Sequence, residues 1–352
     1  MPYCRKCGAK LEETARFCHV CGTPVAAVTP APAAPIRRKP FPLPVAILIA
    51  VLLTAVVLSV LVFLPFTSVN FNQTNQVANK AGVDSLNLDF QADVANVNIY
   101  FKNLSGKMVV LNVTADGYMG ILSHPNRTVA VTFDQKTANH TAIVTSRVSR
   151  VEGWPLSYNL NVVCNIYIDP SVILKLSVHS SVGQISMSAG VPVTLDGLIL
   201  RATTGSVEAN LTQGVVIAGV VSVGTTTGSV RFNMDRPELS GNISATVQST
   251  TGSVNVNVIG NERLSGNVTL NVGTTTGEVN LDMVILNNVG ATINSHNSFG
   301  GINVEQQQGF LGNQSLLQST NYPAENNFLV SLETTTGGIN INALYESSTT
   351  LS

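Results

Sequence analysis

The chain has 352 residues, enough for two or more folded units. Only 11% of them are charged, against about a quarter in an average soluble domain, and 19 Lys and Arg nearly balance 20 Asp and Glu. This composition excludes a disordered acidic chain, and the near-zero net charge leads us to expect no nucleic-acid partner.

The first 25 residues hold four of the five cysteines, as Cys4-x2-Cys7 and Cys18-x2-Cys21. A glycine follows each pair, and its freedom to adopt positive φ lets backbone N–H groups point at sulfur. Two such turns facing each other predict a tetrahedral Cys4 site for a structural Zn²⁺ in residues 1–25, because so small a unit cannot bury a sufficient core. Two disulfides are the alternative, and they suit a cytoplasmic segment poorly.

A linker and an apolar block follow the cysteines. Residues 26–44 are rich in Pro and Ala, which predicts an extended, semi-rigid linker. Residues 45–64 read VAILIAVLLTAVVLSVLVFL and carry no charge. A helix of this length spans about 30 Å, the thickness of a bilayer's hydrocarbon core, so we predict one transmembrane helix. A signal peptide has a shorter apolar region nearer the N-terminus, and a buried core helix rarely lacks a polar face.

The charges beside the apolar block predict its orientation. Arg37, Arg38 and Lys39 precede the block, whereas the next basic residue after it is Lys80. Positive charge next to a membrane span favours the cytoplasmic side. We therefore predict a single-pass protein of the cell membrane, with its N-terminus in the cytoplasm and its C-terminal domain outside.

Residues 67–352 contain an internal repeat. One signature, Thr-Thr-Gly-Ser-Val or a close variant, recurs within residues 179–342. Its copies begin at Thr203, Thr226, Thr250, Thr275 and Thr335, and weaker copies centre on Gly183 and Gly300. Each copy opens a run in which apolar and polar residues alternate, which is typical of a half-buried strand, and the glycine suits a turn. A period of roughly 23 residues suits one coil of a β-solenoid.

Stacking such coils in chain order predicts one apolar column inside the domain and one polar row outside. The column comprises Val207, Val230, Val254, Val279, Ile302 and Ile339. The row comprises Asn210, Asn233, Asn257, Asp282, Glu305 and Asn342, whose side chains could hydrogen-bond along the stack. Residues 84–178 alternate without the signature and predict less regular layers. We predict an all-β, solenoid-like domain at 67–352, with a β-sandwich as the alternative because closely spaced short strands also suit that fold.

Two parts of the chain resemble known families. The cysteine segment 4–22 resembles the short zinc ribbon at the N-terminus of many prokaryotic membrane proteins, with all four ligand positions matched. Residues 166–170, 174–178 and 181–185 resemble the adhesin-type repeat domain of prokaryotic surface proteins, and the domain is also similar to the toast-rack domain of envelope-stress membrane proteins. The second resemblance covers roughly 84–342 and implies adhesion or contact with the envelope.

The sequence offers little sign of catalysis. It contains no H-E-x-x-H, G-x-S-x-G or Walker A motif, so we do not predict an enzyme. The insertion at 306–327 is the best candidate for a binding loop, since insertions in solenoids often lie on the binding face. Its candidate residues are Gln306, Phe310, Leu316 and Tyr322. Cys164 is predicted to be a buried small residue or else a partner in an intermolecular disulfide.

Two functions fit this organisation. In the first, the outer domain mediates adhesion or contacts a cell-surface or envelope polymer or protein. In the alternative, the protein is an envelope-stress sensor or scaffold, and the zinc ribbon binds a cytoplasmic protein partner. Deletion of residues 1–25 separates them, because an adhesin would keep its function and a sensor would lose it.

Overall fold

A computed structural model describes residues 2–25, 42–63, 65–120, 128–151, 157–260, 264–286 and 288–346. Most of the predicted linker at 26–44 and the last six residues of the chain lie outside the described residues. The chain divides into two compact units, Met1–Leu58 and Ser59–Ser352.

Helix α1 covers Leu43–Phe63, so it begins two residues before the predicted span of 45–64. Pro44 lies in its first turn, where the N–H that proline lacks would have no helical partner. Residues Leu43–Val60 have a mean hydropathy of 2.8, and none of this segment is buried within the structure. By length and composition, α1 is able to cross a membrane.

Strands make up almost all of the second unit. In chain order they are β1 (Pro65–Ala78), β2 (Ser85–Val94), β3 (Asn96–Phe101), β4 (Lys107–Gly120), β5 (Val129–Ala138), β6 (Thr141–Arg150), β7 (Ser157–Ile168), β8 (Ile173–Val182), β9 (Ile185–Ala189), β10 (Val193–Thr204), β11 (Val207–Leu211), β12 (Val215–Thr227), β13 (Val230–Asp235), β14 (Glu238–Ser240), β15 (Ile243–Thr251), β16 (Val254–Ile259), β17 (Leu264–Ser265), β18 (Val268–Thr276), β19 (Val279–Leu286), β20 (Val289–Phe299), β21 (Ile302–Gln306), β22 (Phe310–Asn313), β23 (Leu316–Ser319), β24 (Asn326–Thr336) and β25 (Ile339–Glu346).

These strands form two sheets around one core. Sheet I has 11 strands in the order β1-β4-β7-β3-β9-β11-β13-β16-β19-β25-β21. Sheet II has 14 strands, and its main path runs β22-β23-β20-β24-β18-β15-β12-β10-β8-β2-β6-β5. Each coil crosses sheet II, turns a corner and continues in sheet I, as β10 leads into β11, and neighbouring coils pair in parallel. Apolar side chains of both sheets meet in one continuous core, which confirms the predicted solenoid.

The coils do not stack in chain order at either end. The last coil, β24–β25, lies between β18–β19 and β20–β21, and the first, β2–β3, lies between β6–β7 and β8–β9. Ile339 therefore follows Val279 in the apolar column, and Ile302 takes the outermost place, where it is only partly buried. All six residues of the predicted column line up across these strands, but their predicted chain order was wrong for the end coils, since strands distant in the chain pair there.

The polar row changes for the same reason. Asn342 of β25 lies beside Asp282, as a neighbour in the row. The next position belongs to Gln306 and not to the predicted Glu305, because β21 has an irregularity that skips one residue.

Antiparallel strands cover the ends of the stack. At one end, β1 and β4 extend sheet I beyond β7, and β5 extends sheet II beyond β6. At the other end, the β22–β23 hairpin pairs with β20. Such caps shield the terminal coils, which would otherwise expose strand edges and core side chains.

The Thr-Thr-Gly signature forms the corner between the sheets. Gly205, Gly228, Gly252 and Gly277 have φ between 138° and 145°, a region that residues with side chains rarely adopt. A Cβ at any of these positions would also overlap the carbonyl group of the preceding corner glycine. The repeated glycine is therefore required by the geometry of the stack.

A buried hydroxyl secures most of these corners. Thr225 donates to the carbonyl of Gly205 at 2.8 Å, and Thr274 donates to that of Gly252 at 2.9 Å. Ser249 and Thr334 bond in the same way, and each of these four residues comes directly before its signature. Since a buried carbonyl without a partner is costly, these residues help to fix the corner.

Candidate functional site

The four predicted zinc ligands lie together in the ribbon. The Sγ atoms of Cys4, Cys7, Cys18 and Cys21 are all within 4.8 Å of one another. The Cys4–Cys21 and Cys7–Cys18 pairs are each 3.6 Å apart, and all four thiols are free. Four sulfurs each about 2.3 Å from a tetrahedral zinc ion would lie roughly 3.8 Å apart. The donor set therefore fits structural zinc, with every coordination position filled by the protein.

The two halves of the ribbon are built alike. The N–H of Gly8 donates to the carbonyl of Cys4 at 2.8 Å, and that of Gly22 donates to Cys18 at 2.9 Å. Both glycines have positive φ, 75° and 69°, as the cysteine spacing predicted. Cys4, Cys18 and Leu11 form the small buried core. So little apolar burial leaves the metal as the main source of folding free energy.

Crowding of the thiols separates their pKa values. The hydroxyl and backbone N–H of Thr23 lower the pKa of Cys21 to about 6. A backbone N–H at Ala9 lowers the pKa of Cys7, but the neighbouring sulfurs of Cys21, Cys18 and Cys4 together with burial outweigh it, and the pKa of Cys7 is raised to about 12. A cation is therefore needed to hold all four sulfurs as thiolates at neutral pH.

In the outer domain, polar side chains on the outward face of sheet I bond to one another. Asn340 donates to Asn280 at 2.7 Å, and Asn280 donates to Asn255 at 2.9 Å. In the adjacent row, Asn342 donates to Asp282 at 2.8 Å. The amide ladder exists, and its longest described stretch lies one row away from the predicted position.

Side chains on the outward face of sheet I also contact one another in the strands closer to β1. The rings of Tyr100 and Tyr167 stack with their centroids 5.5 Å apart, and the Lys102 Nζ lies 3.7 Å from the centre of the Tyr167 ring. Asn98 donates to Asn165 at 3.0 Å. These contacts use the side chains of sheet I to hold neighbouring strands together.

The outward face of sheet II instead carries a groove of about 540 Å³ beside the corner. Its floor consists of residues in register on five successive strands: Arg201, Gly224, Gln248, Gly273 and Glu333. One wall is formed by the first threonine of each signature: Thr203, Thr226, Thr250, Thr275 and Thr335. The floor therefore alternates between a projecting side chain and a gap. Sequence analysis missed this site.

The polar groups of the groove are largely unengaged. Among the described residues, the side chains of Gln248 and Glu333 have no hydrogen-bond partner. Arg201 donates to the Ser222 hydroxyl at 2.8 Å. Arg201 and Glu333 are four strand spacings apart, about 19 Å, so they form no ion pair. Apart from the His179 ring, the largest apolar side chain in the lining is that of Ala202.

The predicted binding loop is distributed among several environments. Phe310 is only 3% exposed and packs into the core, so it is not available to a ligand. Gln306 ends β21, Leu316 is 40% exposed at the start of β23, and Tyr322 is half-buried. The hairpin covers the end of sheet II through its pairing with β20. A binding role for its exposed residues stays a prediction.

Cys164 lies in β7 and is completely buried. Burial raises the pKa of its thiol to about 12. The structure thus favours the first of the two predictions for this residue, a small buried side chain, since an intermolecular disulfide would need an accessible sulfur.

Comparison with solved structures shows distant similarity to proteins that carry provisional functional names. A cell adhesion protein from Clostridium sporogenes is 15% identical, with a TM-score of 0.33 over 78% of this chain and 99% of that chain. An adhesin from Bacteroides fragilis is 10% identical, with a TM-score of 0.31 over 77% and 97% of the chains. A lipid binding protein from Parabacteroides distasonis is 12% identical, with a TM-score of 0.31 over 79% and 96%. Similarity at this level carries no argument about this chain's ligand.

Comparison with sequence families gives a firm result for the N-terminal segment. No curated protein matches the chain. Residues 3–25 match the zinc-ribbon domain family, and the match includes all four cysteine ligands. The N-terminal segment 3–25 is a zinc ribbon.

Proposed function

We propose that the chain is a single-pass membrane protein whose solenoid contacts a partner outside the membrane, while the ribbon lies on the cytoplasmic side. The uncharged helix α1 supports anchoring. Residues 1–44 carry seven Lys or Arg against two Asp or Glu, and residues 67–352 carry twelve against eighteen. This asymmetry supports a cytoplasmic N-terminus.

The groove on sheet II is the observation that carries a role in adhesion or envelope contact. Apart from Arg201, its floor and wall present polar side chains that make no hydrogen bond to the described part of the solenoid. A regular scaffold holds those groups at fixed spacing, which lowers the entropy lost on binding. Among the described residues, only the ribbon cysteines form a cluster of three or more His, Cys, Asp or Glu able to hold a metal. The groove therefore supports binding better than catalysis.

A sensor or scaffold is the second candidate, and the surface of the ribbon favours it. Tyr3, Phe17 and Val20 are 64%, 63% and 64% exposed in a unit of very small size. On so small a unit, these side chains offer apolar surface for a protein–protein contact. In this second function, the ribbon binds a cytoplasmic protein and the solenoid senses the envelope.

Orientation can be tested on intact cells with a membrane-impermeant thiol reagent. Ser244 is exposed on sheet II, so the Ser244→Cys chain should be labelled without permeabilisation. With a chelator present to remove zinc, the unsubstituted chain should be labelled only after permeabilisation, since its other thiols lie in the ribbon and Cys164 is buried. Labelling of the unsubstituted chain on intact cells would contradict a cytoplasmic ribbon.

Capture of envelope material distinguishes the two functions. Cells that display the full chain should bind an immobilised envelope fraction from the same organism, and cells that display a chain lacking residues 2–25 should bind it equally well. Loss of a cellular response, with capture unchanged, on deletion of residues 2–25 would favour the sensor. Absence of capture by the full chain would contradict adhesion.

A further inference from the structure

We infer that the groove on sheet II binds a linear glycan, which lies along the solenoid axis across successive strands. This inference rests on the proposed surface function and specifies its ligand. The groove lies outside the loop that sequence analysis singled out, and its chemistry can be read from its floor and wall.

The backbone beneath the groove cannot recruit a strand. β12 pairs with β10 on one side and β15 on the other, and β18 pairs with β15 and β24. Peptides recognised by strand addition need an open sheet edge. Since these strands already have two partners, a ligand in the groove must bond to side chains, and an extended peptide would leave its own backbone groups poorly satisfied.

The side chains that remain suit a polyhydroxylated ligand. The five wall threonines and Gln248 both donate and accept hydrogen bonds, as sugar hydroxyls do. With no aliphatic side chain larger than Ala202 in the lining, the groove offers no site for a lipid chain. Arg201 is offset by Glu333, so the groove lacks the basic excess that a nucleic acid requires.

From Arg201 to Glu333, the spacing of the floor matches a polymer with a two-unit repeat. Glycines occupy every second strand of this stretch, so Arg201, Gln248 and Glu333 project at twice the strand spacing, about 10 Å. The end of the groove beyond Arg201 is closed by His179, which projects from the next strand, β8. An extended β-1,4-linked glycan repeats every two sugars over nearly the same length. The five strands of the floor span about 19 Å, room for about four sugars.

The glycan inference is tested with the full chain in lipid nanodiscs and a defined set of oligosaccharides. The probes are disaccharides and hexasaccharides of β-1,4-linked glucose, β-1,4-linked N-acetylglucosamine, hyaluronan and α-1,6-linked glucose, with a ten-residue Gly-Ser peptide as the peptide probe. We expect at least one β-linked hexasaccharide to bind saturably and its disaccharide to bind at least about tenfold more weakly, because the shorter chain fills half of the groove.

A bulky substitution locates the contact. Gln248→Trp should weaken hexasaccharide binding by at least about tenfold, because the ring would fill the centre of the groove. Ser244→Trp is the matched control on the same strand, four residues and about 13 Å away, and should bind normally. If Gln248→Trp fails to fold, Gln248→Ala combined with Thr250→Val removes polar contacts without bulk and should weaken binding by about threefold or more.

The outcomes separate the ligand class from the proposed function. If no oligosaccharide binds, or if binding survives in Gln248→Trp, the glycan inference is overturned. If Gln248→Trp still abolishes envelope capture in that case, the groove keeps its proposed surface function but binds another kind of ligand. Binding of the peptide probe would identify that ligand as a peptide. Envelope capture that is absent from the unsubstituted chain overturns both.

Discussion

The two outward faces of the solenoid come from the same repeats but use their polar residues differently. On sheet I, the side chains of adjacent strands bond along the axis, as in the Asn255–Asn280–Asn340 ladder. On sheet II, the floor of the groove alternates glycine with long polar residues, of which Gln248 and Glu333 make no such bond among the described residues. The polar side chains of sheet I therefore add stability to the stack, whereas several of those on sheet II contribute no bond to it.

Packing under the groove keeps the gaps open. A Cβ at Gly224 would lie 2.9 Å from the carbonyl oxygen of Gln248, and one at Gly273 would lie 3.2 Å from that of Glu333. Neighbouring strands thus approach closely where the glycines occur. One repeat can therefore supply a face whose side chains bond to one another and a face whose side chains stand apart. The difference depends on which position of the coil is occupied by glycine.

The largest predicted effect is that of removing zinc. It tests whether the solenoid, which carries both faces, folds by apolar packing without the metal. A zinc chelator should unfold the ribbon at 3–25, since structural zinc contributes about 10–16 kcal/mol of apparent folding free energy in comparable units. Hydrogen exchange should accelerate in the ribbon and stay unchanged in β8 to β25. Faster exchange in both sheets would show that the solenoid itself needs the metal.

The next prediction concerns a corner glycine, whose replacement should destabilise both sheets together. Gly252→Ala should destabilise the solenoid by about 3 kcal/mol or more, because its φ is 138° and a Cβ would overlap the carbonyl of Gly228. Gly301→Ala is the matched control, since a Cβ at Gly301 has no atom within 4 Å. Denaturant midpoints followed by circular dichroism check this. Equal midpoints for the two variants would contradict a steric role for the signature glycine.

A pair of smaller substitutions addresses the two faces directly. Asn280→Ala removes the middle of the ladder on sheet I and should cost about 1–2 kcal/mol, since two hydrogen bonds are lost. Gln248→Ala on sheet II should change stability by less than about 0.5 kcal/mol, because its side chain is exposed and makes no hydrogen bond among the described residues. Equal costs in urea unfolding would remove the distinction between a bonded and an open face.

The sequence predicts the local features of this fold well. Cysteine spacing predicts the ribbon, the uncharged block predicts α1, and alternation after each Thr-Thr-Gly predicts the strands of sheet I. The order of the terminal coils could not be predicted, since the placement of β24–β25 inside β20–β21 depends on non-local pairing. Strand β1 was also missed, because its residues are mostly polar and give a weak alternating signal.

A signal for the groove was nevertheless present in the sequence. The residue four positions before each signature glycine is Arg201, Gly224, Gln248, Gly273 or Glu333, so glycine occurs in alternate copies. The alternation of apolar and polar residues along each strand predicts that this position faces outward. The sequence does not show, however, that adjacent coils align these residues in register. Only the pairing of the five strands turns the pattern into a groove.

The last prediction compares a carboxylate that is hydrogen-bonded in the fold with one that is not. Asp169 follows β7 of sheet I and accepts hydrogen bonds from the hydroxyl of Ser171 at 2.6 Å and from the N–H of Leu104 at 2.9 Å. Partial burial raises the pKa of Asp169, but these hydrogen bonds outweigh it, so the pKa lies below its ordinary value. A carboxyl with a lowered pKa in the folded state stabilises the fold above its unfolded pKa of about 3.9, and this contribution is lost as the pH falls through the folded value.

Asp169→Asn should therefore cost less than about 1 kcal/mol at pH 7, and the difference from the unsubstituted chain should shrink as the pH is lowered below about 4. Asp196→Asn is the control on sheet II, where the carboxylate is exposed and makes no hydrogen bond among the described residues. Denaturant midpoints measured from pH 7 to pH 3 check both variants. A cost for Asp169→Asn that stays constant across this range would show that the side chain acts by shape and not by charge, and a comparable pH-dependent cost for Asp196→Asn would mean that sheet II also uses its charges to hold the fold.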